Sequence, residues 1–276
     1  MTSTTDKILA RREGSIGYLV FNNPARRNAV SLEMWTAADA VVAEYANDPQ
    51  IRVVVVTGAG DKSFVSGADI SEFESKRASA DAQEAYTKAS AGMRTRLLAL
   101  GKPTIAMIRG YCIGGGMSLA LSCDMRICAE DAQFGIPAAR LGIGYGFEGL
   151  RRLAELVGPS MAKEFIYTAR RYPAGHALRM GLVNQVVPVS ELESTVQTCA
   201  AGIAENAPLS ILTAKRVIDE LMKDLEHRDE AACEQLVKDC GSSQGRLLCP
   251  SQWCIQVCRL GSKDEGHVAR FVRRRP

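Results

Sequence analysis

Three consecutive glycines, Gly114, Gly115 and Gly116, separate a short apolar run from a stretch of small residues, and chemistry is first legible there. The run Thr104 to Ile108, bounded by Pro103, is too short for a helix and reads as a buried strand. Gly110 breaks it, and Met117 to Cys123 reads as a helix. A strand that ends in a glycine turn and opens a helix leaves backbone N–H groups pointing at one spot. Without Cβ atoms in the way, a ligand can approach that backbone closely. The Lys-Ser/Thr pair of a phosphate loop is missing, and so is the G-x-G-x-x-G spacing. Two readings stay open. One is a tight turn with close helix packing. The other is a set of fixed donors aimed at a carbonyl oxygen on which negative charge develops.

Other chemistries find less support. The chain has three histidines, none beside a nucleophile motif, which disfavours a Ser-His-Asp mechanism. Nine cysteines in 276 residues do not make a disulfide scaffold, and no C-x-x-C pair or histidine completes a zinc spacing. Cys112, Cys123 and Cys128 sit among apolar residues as buried thiols, while five more crowd the C-terminal region from Cys233 to Cys258. A formal charge of +3 does not by itself imply a nucleic-acid partner. No apolar run reaches the ~18 residues of a membrane span. Met1 to Glu13 carries no targeting pattern, so the expected compartment is the cytoplasm.

The elements that must position the glycines follow from local pattern. Ile16 to Phe21 reads as a strand, turned by Asn22-Asn23-Pro24. Ser31 caps a helix running to about Asn47, with Glu33 in its first turn. Ile51 to Thr57 is a β-branched run suited to a parallel strand covered on both faces. A loop carrying Phe64 to Ile70 precedes a helix from Asp81 to Leu100. Met125 to Ala129 is a strand, and Leu150 to Val157 a helix after the loop Gly142 to Gly149. Strands alternating with helices imply an α/β core of βαβ units with right-handed crossovers. From Pro159 the pattern turns mainly helical: a short helix from Pro173 to Gly181, a strand at Val183 to Val187, then helices at Ser190 to Glu205, Leu209 to Leu225 and Arg228 to Lys238. Gly241 to Gly261 reads as a loop.

Five separated segments carry a family likeness: N-N-P-A-R-R-N-A-V at Asn22 to Val30, S-F-V-S-G-A-D-I at Ser63 to Ile70, G-Y-C-I-G-G-G at Gly110 to Gly116, A-Q-F-G-I-P-A-A-R-L-G at Ala132 to Gly142, and A-L-R-M-G-L-V-N-Q-V-V at Ala177 to Val187. In this order they resemble the enoyl-CoA hydratase/isomerase family, the crotonase fold. The resemblance implies a spiral core of βαβ units over residues 1–190 and a helical trimerisation region over 191–276, hence a homotrimer or a dimer of trimers. It implies an acyl-CoA thioester as substrate, with coenzyme A as its carrier, no permanently bound cofactor and no membrane or nucleic-acid partner. The thioester oxygen would be held by the backbone N–H groups of Ala68 and Gly115. Ala29, Gly67, Asp69, Ile70, Ile113, Gly114, Pro137 and Leu141 would line the coenzyme A site, with Arg26 and Arg27 toward its phosphates.

Hydratases of this family use two glutamates, and both of their places differ here: one is Ser118, the other Ala138. Neither residue is a strong base on its own. Tyr145 is placed much as a tyrosine of the methylmalonyl-CoA decarboxylases of the same superfamily, and Arg140 and Glu148 lie in the same loop region. Glu148, the nearest substitute carboxylate, also reads as a helix N-terminal charge. Decarboxylation of a malonyl-type acyl-CoA is therefore the alternative to the hydratase/isomerase expectation. A non-catalytic acyl-CoA or RNA binder, the latter through Arg151-Arg152 and Arg170-Arg171, is a third. The ending E-G-H-V-A-R-F-V-R-R-R-P, Glu265 to Pro276, resembles a family C-terminal helix that follows an insertion-like stretch at 241–261.

Overall fold

A computed structural model describes residues 5–69 and 80–241. Contacts divide the chain into two compact units, Met1–Ala201 and Gly202–Pro276. In the first unit, β1 (Ile8–Glu13) and β2 (Ile16–Phe21) form an antiparallel hairpin turned at Gly14, which has φ +57°. Helix α1 (Leu32–Asn47) starts as the sequence predicts, with the Ser31 hydroxyl accepting from the Met34 amide at 3.2 Å. Its buried face, Met34, Trp35, Ala38, Val41, Val42 and Tyr45, repeats every three to four residues.

Strand β3 (Val53–Gly58) is buried at every position, as its β-branched run requires. After β4 (Ser63–Val65) comes α2 (Ala80–Ala99), then β5 (Thr104–Ile108) and β6 (Tyr111–Ile113). Helix α3 (Gly115–Leu121), β7 (Met125–Ala129) and β8 (Gln133–Gly135) follow, then α4 (Phe147–Val157) and α5 (Pro159–Thr168). The unit continues with β9 (Tyr172–Pro173), α6 (Ala174–Arg179), β10 (Gln185–Val187) and α7 (Leu192–Glu205), inside which the contact division falls.

One sheet has the order β1-β2-β3-β5-β7-β10 and is parallel from β2 onward; the other has the order β4-β6-β8-β9. Successive turns of chain give one strand to each sheet: β3 then β4, β5 then β6, β7 then β8. This is the expected spiral of βαβ units. The step from β5 to β6 requires Gly110, because at φ +55° a Cβ there would lie 2.0 Å from the Lys62 carbonyl oxygen. The second sheet and β1 lie outside the sequence reading. Strands of three residues carry no measurable period, and only Ile8 of β1 is fully buried.

Helix α3 opens at Gly115 rather than Met117, so Gly115 and Gly116 lie in its first turn and Gly114 is its N-cap. Its other end is anchored by Arg126, which donates to the carbonyls of Cys123 at 2.7 Å, Leu182 at 2.7 Å and Ala120 at 3.3 Å. A buried cation there satisfies terminal carbonyls and complements the negative end of the helix. In the second unit, α8 (Pro208–Leu221) and α9 (Glu230–Gly241) are joined through the Thr213 hydroxyl, 3.0 Å from Cys240 Sγ. The 241–261 stretch beyond Gly241 and the ending at Glu265 to Pro276 lie outside the described residues.

Candidate active site

The loop after β2 sets up the site through two non-glycine residues in the left-handed region, Arg27 at φ +53° and Asn28 at φ +56°. Asn28 is fully buried and holds the turn: its side chain accepts from the Asn23 amide at 2.9 Å and donates to the carbonyls of Ala59 at 2.9 Å and Ser63 at 2.7 Å. These bonds offset the backbone strain. Beyond the turn, Ala29 is buried and Val30 pairs in parallel with Ala68. The Val30 amide donates to the Gly67 carbonyl at 2.9 Å, and the Asp69 amide donates to the Val30 carbonyl at 3.1 Å.

Successive amides of an extended segment point to opposite sides. With Asp69 bonded to Val30, the Ala68 N–H turns away from Val30. Gly115 lies on that side, where a Cβ added to it would sit 3.9 Å from the Ala68 nitrogen and 3.6 Å from the Gly67 Cα. As the first residue of α3, Gly115 has no intrahelical acceptor for its own N–H. Neither amide is bonded to an acceptor among the described residues. Gly114, at φ +56°, donates instead to the Gly135 carbonyl at 2.9 Å. Two unbonded donors from distant loops therefore belong to segments in contact with one another. Ile70 lies outside the described residues.

One helical turn beyond Gly115, the Ser118 hydroxyl is 2.5 Å from the Tyr145 hydroxyl, which also donates to the Gly114 carbonyl at 3.3 Å. Burial pushes the Tyr145 phenol above its ordinary value, while the Ser118 hydrogen bond and Arg94 pull it back. Tyr145 is therefore a neutral hydroxyl at physiological pH. Ala138 is buried in a 3-10 turn, and its carbonyl accepts from the amides of Leu141 and Ile143, each at 3.1 Å. Glu148 stands in the first turn of α4, exposed and paired with Arg151 at 2.8 Å and Arg152 at 3.6 Å. The Arg151 hydrogen bond holds its carboxyl below the ordinary value, which makes it a weak base and a poor proton donor near neutrality.

The resemblance assigned the phosphates to Arg26 and Arg27, and the structure separates the two. Arg26 is ion-paired at 3.0 Å to Asp69, whose side chain is nearly enclosed. Arg27 opens instead onto a cleft of about 310 Å³ that Tyr111, Ile113, Pro137, Arg140 and Arg171 also line. The Arg27 and Arg171 guanidinium carbons lie 5.3 and 5.6 Å from the Tyr111 ring centroid. Leu141, 60% exposed, and Phe147, 81% exposed, leave apolar surface on the loop that carries Tyr145.

Sequence reasoning gave Tyr111, Arg171, Tyr86 and Arg94 no place at this site, having named Arg171 only toward RNA and Tyr111 only within a family segment. The Tyr86 hydroxyl donates to the Val30 carbonyl at 3.2 Å, beside Ala68. Burial lowers the Arg94 guanidinium, while Tyr145, Tyr86 and Glu148 raise it. The spacing Tyr86, Ser90, Arg94 on one face of α2 was the available signal. Among the described residues no cluster of His, Cys, Asp and Glu is fit for a metal ion, and no helix is long and apolar enough to cross a membrane.

Comparison with known proteins supplies an independent observation. A family model described as enoyl-CoA hydratase/isomerase matches residues 11–246. The chain is 40% identical over 218 residues to a short-chain-enoyl-CoA hydratase of Clostridium acetobutylicum, covering 79% of this chain and 83% of that one. It is 36% identical over 207 residues to a carnitinyl-CoA dehydratase of Escherichia coli, covering 75% and 77%. Among solved structures, an enoyl-CoA hydratase/carnithine racemase from Magnetospirillum magneticum superposes with a TM-score of 0.82 at 31% identity, over 94% of each chain.

Proposed function

The chain belongs to the enoyl-CoA hydratase/isomerase family, and from that premise we propose that it holds the oxygen of an acyl-CoA thioester between the amides of Ala68 and Gly115. The observation that carries this reading is the pair of N–H groups, on segments packed against each other, that find no acceptor among the described residues. Donors fixed before reaction stabilise an enolate-like oxygen without reorganising as charge develops. Coenzyme A arrives with the acyl group as its carrier, and no resident cofactor is needed. Arg27, Arg140 and Arg171 supply cationic groups for its phosphates, since planar guanidinium groups match phosphate geometry. A homotrimer or dimer of trimers is the oligomer we propose, checked by sedimentation.

The reaction depends on what faces that oxygen. Here the site offers two hydroxyls, Ser118 and Tyr145, where a two-glutamate hydratase needs carboxylates. That pair favours a second reading, decarboxylation of a malonyl-type thioester. The bond from the α-carbon to the carboxylate breaks, and its electron pair enters the thioester enolate. Carbon dioxide leaves, and a proton returns to the α-carbon from the Tyr145 hydroxyl, which water then reprotonates. No base is required to remove a proton from carbon. Purified protein is offered crotonyl-CoA, followed by loss of conjugated absorbance, and malonyl-CoA, followed by mass spectrometry. Conversion of malonyl-CoA to acetyl-CoA with little crotonyl-CoA hydration is the expected result. Rapid hydration overturns the decarboxylase reading, and failure to bind either thioester overturns the acyl-CoA assignment.

A further inference from the structure

Arg94 sits half-buried on α2, and among the described residues no carboxylate comes within ion-pair distance and no acceptor within hydrogen-bond distance of it. Arg27, Arg140 and Arg171 line the separate cleft assigned to the phosphates, and the remaining arginines around the site are engaged. Arg26 holds Asp69, Arg151 holds Glu148 and Glu155, and Arg126 is caged by backbone carbonyls. Taking a guanidinium partly out of water without a counter-ion is costly, and proteins avoid it unless something else supplies the charge.

Its position states what that something is. Tyr86, Ser90 and Arg94 are spaced four apart and share one face of α2. The Tyr86 end touches the Val30 carbonyl beside Ala68. The Arg94 end lies close enough to Tyr145 and Glu148 to feel both electrostatically, and Glu148 is already engaged by Arg151. This helix face thus carries Tyr86 against the segment paired with Ala68, and Arg94 two turns on, within electrostatic reach of Tyr145. Ser118 stands one helical turn from Gly115, a rise of about 5 Å, which is the span of a short acyl chain.

Resting on the acyl-CoA reading above, we propose that Arg94 is a specificity-determining residue that receives a carboxylate carried on the acyl group of the substrate. The assigned substrate class is therefore the short dicarboxylic acyl-CoA thioesters. Recognition is separate from chemistry here. If the carboxylate is subsequently lost as carbon dioxide, its charge moves onto the thioester, and the hold of Arg94 weakens as the reaction proceeds. Removing Arg94 therefore raises KM and leaves kcat level or higher.

The test is calorimetric titration of the full chain with malonyl-CoA, succinyl-CoA and butyryl-CoA. Wild type is expected to bind at least one carboxylated thioester about tenfold more tightly than butyryl-CoA. Arg94→Gln is expected to erase that preference while leaving the butyryl-CoA Kd within about twofold, and Arg94→Lys, which keeps the charge, to retain part of it. Equal or tighter binding of butyryl-CoA by wild type overturns the proposal, as does an undiminished preference in Arg94→Gln. If Arg94→Gln does not fold, a Lys variant that matches wild type on butyryl-CoA and shows no weakening on the carboxylated thioesters overturns it instead. Loss of all thioester binding by wild type is a different outcome, since it removes the acyl-CoA reading on which the proposal rests.

Discussion

Replacing Gly115 by proline removes one of the two donors on which the acyl-CoA reading depends. Proline is tolerated at the first position of a helix, and Gly115 occupies that position in α3. Its amide has no acceptor among the described residues, so no structural hydrogen bond is lost. A Cβ there meets the Gly67 Cα at 3.6 Å and the Ala68 nitrogen at 3.9 Å, ordinary contacts. Stability should therefore shift by no more than about 1 kcal/mol. Loss of one oxyanion donor costs about 3 kcal/mol, a factor of roughly 100 in rate. The assay need not presuppose the reaction. Acetoacetyl-CoA ionises to an enolate that is followed by absorbance, and on this reading the enolate oxygen accepts from the Ala68 and Gly115 amides. A loss of about 3 kcal/mol raises the apparent pKa of the bound thioester by about 2 units. Gly115→Ala keeps the N–H and adds the same Cβ, so it controls for the Cβ alone. An unchanged enolisation pKa in a folded, ligand-binding Gly115→Pro variant refutes the reasoning.

The neighbouring glycine behaves differently: a Cβ on Gly116 would lie 2.0 Å from the Val65 carbonyl oxygen, so Gly116→Ala is expected to yield no folded protein by circular dichroism. Tyr145→Phe removes the hydroxyl bonded to Ser118 and is expected to cost about 1 kcal/mol of stability and a factor of about 100 in kcat; wild-type turnover removes the tyrosine from the mechanism. Glu148→Gln is expected to leave turnover within about twofold, because the carboxylate is exposed and spent on arginines. Its lowered pKa gives a small contribution that is present above the ordinary carboxylate range and lost as pH falls through the folded value, so the variant should show a shallower acid limb in thermal melts. Burial pushes Tyr45 from 10.0 to about 12, so between those values the folded chain keeps a proton that the unfolded chain releases. Stability is full below pH 10 and falls by up to about 2–3 kcal/mol as pH rises through the folded value. Tyr45→Phe should flatten that alkaline limb in urea titrations, although Cys112, Cys128 and Tyr145, raised in the same sense, leave part of it.

What could be read from the chain and what could not divide along a physical line. Strand β5 was legible to the residue because a five-residue apolar run between Pro103 and Gly110 has one solution, and α1 because Ser31 and a 3.6-residue stripe agree. The contact between the Ala68 and Gly115 segments was anticipated by the glycine turn together with the family segments, since close backbone approach is what glycines permit. Side-chain roles are different, because they are decided by what the fold brings near. Glu148 looked like a substitute carboxylate by its place in the chain, yet Arg151, three residues on, claims it. Arg171 joins Arg27 and Arg140 only after β9 pairs with β8, a contact that two residues of strand cannot announce. Arg94 lies on a helix whose sequence reads as alanine and polar residues, and its significance is a missing partner. A missing partner has no local signature: it shows only once the described residues around Arg94 are placed and none of them is found to pair with it. The proposed role of Arg94 thus had to come from the three-dimensional arrangement, while the acyl-CoA thioester was already implied by the family resemblance of the five segments.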